Sequence, residues 1–65
     1  MAPEVDVPAE LDAALSGDAR AAFDALAASH RREYAEWVAE AKRPETRVRR
    51  AERAVEMLRS GERHP

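Results

Sequence analysis

Apolar side chains recur along the chain at the spacing of an α-helix, in four short groups. Within each group they lie three or four positions apart, so that they share one face of a helix while polar residues fill the other. No segment shows the apolar–polar alternation of a β-strand. The pattern therefore predicts an all-α fold, a small bundle of four short helices at about residues 8–16, 19–27, 30–42 and 44–60.

Proline and glycine mark the predicted helix boundaries. Pro8 and Pro44 suit the first turn of a helix, where a missing N–H is not needed. Gly17 and Gly61 suit the positions that end a helix, and Asp18 suits the N-cap of the second helix.

The junction between the second and third helices is open to two interpretations. Ser29 can cap a separate third helix, or the alanines at 27 and 28 can carry one continuous rod. We favour a break, because a single rod would leave Leu11 and Leu15 little surface to pack on.

Four helices with polar outer faces must bury their apolar stripes against one another. Trp37 has the largest apolar surface in the chain, so it is predicted to anchor the core. This helical domain is predicted to span residues 7–61, between a disordered lead at 1–6 and a tail at 62–65. The predicted core residues are Leu11, Leu15, Phe23, Leu26, Tyr34, Trp37, Val38, Val48, Val55 and Leu58.

The composition narrows the possible classes of protein. With 65 residues the chain forms one domain at most, and the absence of cysteine removes disulfides and thiolate–metal sites. Alanine is the most frequent of the hydrophobic residues, so large apolar side chains are too few for a barrel or a doubly wound nucleotide-binding fold. A small helical domain with a thin core remains, either a monomer or a homodimer.

Charge is unevenly distributed, although the net charge is only −2. Residues 1–24 carry six acids and one base, whereas residues 42–53, here called the basic segment, carry six bases and two acids. The favoured interpretation is that the two ends pair across the bundle. A cationic surface for an anionic partner is the alternative.

The candidate binding residues lie in the basic segment, around the start of the fourth helix. Backbone N–H groups and the helix dipole favour anions there, and arginine can bind a carboxylate or phosphate with two hydrogen bonds. A structural role is the favoured interpretation for Arg47, which can pair with an acid of the first helix while its stem covers Trp37 or Tyr34. The candidates are Lys42, Arg43, Arg47 and Arg50.

Catalytic and metal chemistry find little support in the sequence. There is no cysteine, no glycine-rich phosphate loop and no recognisable serine–histidine pair, so we predict a non-enzyme without catalytic residues, metal or cofactor. His30 shares a helical face with Tyr34 and Trp37, and we expect it to lie at the edge of the core rather than to act as a base.

No membrane span or secretory signal is visible in the sequence. We therefore expect a cytoplasmic protein, and a periplasmic one if the chain is a fragment of a longer protein.

Residues 29–58 contain two specific motifs, H-R-x-E-Y-x-x-W at residues 30–37 and A-K-x-P-E-T-R-x-R-R at residues 41–50. The two motifs together are here called the signature. The signature resembles the bacterial YdeI/OmpD-associated (OmdA) family, labelled bacteriocin-protection, and the resemblance covers about residues 7–61. The resemblance implies that the chain corresponds to the helical unit found at the C-terminus of longer family members. It also implies a role in protection against bacteriocins or antimicrobial peptides, or in envelope stress, and it assigns no catalytic residues.

These observations lead to two functional hypotheses. The first is a non-enzymatic helical interaction module of the OmdA type that acts through an unidentified protein partner. The alternative is a small nucleic-acid-binding domain that uses the basic segment, which the net negative charge disfavours.

Overall fold

A computed structural model describes residues 6–61, which form four α-helices. They are α1 (Ala9–Ala14), α2 (Gly17–Ala25), α3 (Ala28–Glu40) and α4 (Pro44–Ser60). The predicted all-α class and the four helices are confirmed. The predicted tail at 62–65 lies outside the described residues, and so does the predicted lead at 1–6 except for its last residue.

The longest helix, α4, is the centre of the fold. It packs against α1, α2 and α3, and α1 also contacts α3. Short amphipathic helices are marginal alone and gain most of their stability from such packing. Packing on α4 therefore stabilises each of the first three helices.

Small and large apolar side chains share the core. Phe23, Leu11 and Val38 are the largest fully buried side chains, while Ala19, Ala51 and Ala54 let the helix backbones approach closely. The Phe23 and Tyr34 rings meet edge to face, with centroids 6.5 Å apart, and so join α2 to α3.

Six of the ten predicted core residues are buried and three lie half-buried at the core's edge. The buried ones are Leu11, Leu15, Phe23, Tyr34, Val38 and Leu58. The half-buried ones are Leu26, Trp37 and Val55.

Val48 is the exception, because its side chain is 47% exposed, and its prediction as a core residue is wrong. The buried face of α4 is formed by Ala51, Ala54, Met57 and Leu58. Val48 lies roughly 120° around the helix from the centre of that face. The prediction followed the β-branched side chains, whereas α4 buries two alanines and Met57 instead.

Trp37 also differs from its predicted role as the anchor of the core. The indole is half-buried and packs against the core from its edge. The guanidinium carbon of Arg50 lies 5.5 Å from the centre of a Trp37 ring, so a cation covers part of the aromatic surface.

The turns differ in detail from the prediction. A break between α2 and α3 is confirmed, with Leu26 and Ala27 in extended backbone, but Ala27 rather than Ser29 is the N-cap. Between α1 and α2 the N-cap is Ser16 rather than Asp18, and Gly17 begins α2 with a φ of +52° instead of ending α1. None of the four N-cap residues of the described chain makes a side-chain capping hydrogen bond.

Arginine side chains close the C-terminal ends of α1 and α2. Arg20 donates to the Asp12 carbonyl at 3.3 Å and pairs with the Asp12 carboxylate at 2.6 Å. Arg31 donates to the Leu26 carbonyl and, at 3.4 Å, to that of Asp24. These carbonyls lack partners within their own helix turns, so the arginines replace a glycine cap.

We expect Phe23→Ala to destabilise the protein more than Trp37→Ala. Phe23 is 2% exposed, so its removal leaves a cavity that costs about 3–5 kcal/mol, whereas Trp37 is truncated at the edge of the core. Free energies of unfolding from urea titrations of the two variants provide the measurement. An equal or larger loss of unfolding free energy in Trp37→Ala would contradict this expectation and support Trp37 as the main core residue.

Candidate functional site: the basic segment

The basic segment begins in the turn between α3 and α4 and continues along α4. Pro44 occupies the first turn of α4, and Arg43 is the N-cap residue in extended backbone. The Arg43 carbonyl accepts from the N–H groups of Thr46 and Arg47, both at 3.0 Å. Glu45 lies in the same turn, where the helix dipole favours an acid.

Arg47 connects three helices. Its Nε lies 3.1 Å from Oε2 of Glu10 in α1. Its Nη1 donates to the carbonyls of Ala39 and Ala41 at the end of α3, at 2.9 and 3.5 Å. The predicted pairing of Arg47 with an acid of the first helix is thus what the structure shows.

Arg50 binds the same end of α3 from the next turn of α4. Its Nη1 donates to the Trp37 carbonyl at 2.8 Å while the guanidinium lies over the Trp37 ring. Arg47 and Arg50 are three residues apart on α4, so both side chains reach the last turn of α3. Together they satisfy carbonyls that the end of α3 leaves free.

Lys42 and Arg43 are placed differently. Both are exposed in the turn between the two helices. Within residues 6–61, neither side chain makes an ion pair or hydrogen bond. The structure therefore divides the four candidate residues into two that make internal contacts, Arg47 and Arg50, and two that face solvent, here called the exposed pair.

Glu10 belongs to this site and was not singled out in the sequence. The hydrogen bond from Arg47 holds the pKa of the Glu10 carboxyl below its ordinary value of 4.5, and partial burial opposes this effect. Its other oxygen, Oε1, is buried and has no hydrogen-bond partner among the described residues. The acidic charge of residues 1–24 was the signal in the sequence for a partner of Arg47, but this segment holds six acids. Only the orientation of α1 on α4 determines that Glu10 is the acid that pairs.

The remaining chemical candidates stay apart from one another. His30 is exposed, so the expectation that it packs at the core's edge is wrong. Glu33, Glu36 and Glu40 face outward from α3. Residues 6–61 hold no cluster of three acidic or histidine side chains that could bind a metal ion, and none of their helices is long and apolar enough to cross a membrane.

We expect the stability difference between the wild-type protein and Glu10→Gln to depend on pH. Because the Glu10 pKa is lowered by folding, its ionised form stabilises the native state above the ordinary pKa, and this contribution disappears as pH falls through the lower, folded value. Urea titrations should show Glu10→Gln as less stable at pH 7, with the difference absent in strong acid. Glu36→Gln is the matched control, and the same pH dependence in that variant would contradict the assignment.

We expect Arg50→Lys to lower the free energy of unfolding by about 1–2 kcal/mol. Lysine keeps the charge but cannot both donate to the Trp37 carbonyl and lay a planar cation on its ring. Chemical denaturation followed by Trp37 fluorescence measures the loss. Arg49→Lys changes an exposed residue of the same helix and should stay within about 0.5 kcal/mol of wild type; equal effects would argue against a special role for Arg50.

Comparison with known proteins places most of the chain in a family. The family model OmdA, described as "Bacteriocin-protection, YdeI or OmpD-Associated", matches residues 4–61, which is most of the chain. No curated protein and no solved structure shows a significant match.

Proposed function

Because the chain belongs to the OmdA family, we propose that it is a non-enzymatic helical interaction module that contributes to bacteriocin or antimicrobial-peptide protection through a protein partner. The family description supports the protective role. The surface of the module, rather than an enclosed site, is where we place its activity.

The exposed pair carries this proposal. Lys42 and Arg43 are adjacent cations in a short turn whose two flanking helices are held together by Arg47 and Arg50. Two charged side chains on a rigid turn lose little backbone freedom on binding, which favours specific contact with a partner. An acidic surface on the partner would complement them.

The nucleic-acid alternative has less support. The family match gives it none, and three of the six cations of the basic segment, Arg47, Arg50 and Arg53, are engaged within the chain. For the same reason, charge reversal of Arg47 and Arg50 would damage the contact between α3 and α4 and is unsuitable as a test of binding.

We expect the double variant Lys42→Glu and Arg43→Glu to lose its partner while staying folded. Both side chains are exposed without internal contacts, so circular dichroism should be unchanged. Affinity purification from bacterial lysate with mass spectrometry, and survival of producing cells challenged with a bacteriocin, are the two measurements.

The matched control is the double variant Arg32→Glu and Arg59→Glu, which changes the net charge equally at exposed positions of α3 and α4. It should retain both the captured protein and the protection. Loss in both variants would indicate a general charge effect, and retention in both would place the contact elsewhere on the module.

A further inference from the structure

Arg47 adjoins the exposed pair. Its backbone N–H donates to the Arg43 carbonyl, and its Nη1 reaches the carbonyl of Ala41, the residue directly before Lys42. The guanidinium therefore lies beside the backbone of the turn that carries both exposed cations. All three residues are cationic, and the Glu10 carboxylate of α1 lies against the Arg47 guanidinium.

The Arg47 guanidinium has partners besides Glu10. Its Nη1 is fixed by the carbonyls at the end of α3, while its Nε faces the Glu10 carboxylate. The Arg47 side chain is 27% exposed, so solvent reaches part of it. Removal of the Glu10 carboxylate would leave the Arg47 Nε without this partner.

Glu10 is incompletely satisfied where it lies. One carboxylate oxygen meets Arg47, but Oε1 is buried without a hydrogen-bond partner in the described part of the chain. A carboxylate oxygen that loses water and gains no donor opposes the attraction to Arg47. A carboxylate that reached Arg47 from solvent and kept both oxygens hydrogen-bonded would bind it more favourably.

We propose that Glu10 is an internal competitor that occupies Arg47 in the free protein and is replaced by a carboxylate from an acidic peptide segment of the partner. Lys42 and Arg43 bind neighbouring acids of the same segment. This inference rests on the proposed function. It adds the chemistry of the partner and a contact within the chain, Glu10 with Arg47, that lowers the affinity for the partner.

The test measures binding of a fluorescein-labelled oligoglutamate peptide to the full chain by fluorescence anisotropy at low salt. Glu10→Gln should bind about two- to fivefold more tightly than wild type, the range that corresponds to release of a partly exposed ion pair. Glu36→Gln changes the net charge equally at an exposed position and should stay near wild type.

Two further variants separate competition from charge and from folding. Glu10→Asp keeps the charge but is one methylene shorter, so it should also bind the peptide more tightly. The double variant Glu10→Gln with Arg47→Gln should bind no more tightly than Arg47→Gln alone, because the released donor is gone. Circular dichroism confirms that each variant is helical.

The outcomes separate the two proposals. A gain in Glu10→Gln no larger than that in Glu36→Gln, a gain that survives loss of Arg47, or no binding by any variant overturns the role of Glu10. Wild-type affinity in the double variant of Lys42 and Arg43 overturns the proposed surface instead, whatever Glu10 does.

Discussion

Arginine side chains close the C-terminal ends of the first three helices, and the arrangement of the bundle depends on this interaction. These helices end in extended backbone at Leu15, Leu26 and Ala41, so no left-handed glycine turn satisfies their last carbonyls. The donors come from the helix that follows, and each cation lies at the negative end of a helix dipole. They are Arg20 for α1, Arg31 for α2, and Arg47 with Arg50 for α3.

This form of capping suits a chain with so thin a core. A helix of six residues such as α1 is far below the length at which isolated helices persist in water. Alanine favours helix formation but contributes little buried surface, so apolar packing alone specifies the angles between helices weakly. An arginine that bonds a carbonyl of one helix from another fixes their relative position with directional contacts.

The sequence predicted the helices better than the faces they bury. Pro44 and Gly61 mark the ends of α4 whatever the tertiary structure, because both act through local backbone geometry. Which side of α4 is buried depends on where three other helices lie, and alanines at 51 and 54 carry little pattern to indicate it. Val48 was therefore wrongly predicted to be buried. Pairing between the acidic and basic parts of the chain was predicted, but the sequence did not indicate that Glu10 is the acid that pairs.

The contacts at the end of α3 also explain what the signature encodes. Trp37, Arg47 and Arg50 belong to the signature, and each joins α3 to α4 through a ring contact or a carbonyl. The signature therefore includes residues that hold this helix pair together. Lys42 is in the same signature but is exposed in the turn, without an ion pair or hydrogen bond in residues 6–61. Because folding does not use the charge of Lys42, we infer that this cation contacts a molecule other than the chain itself.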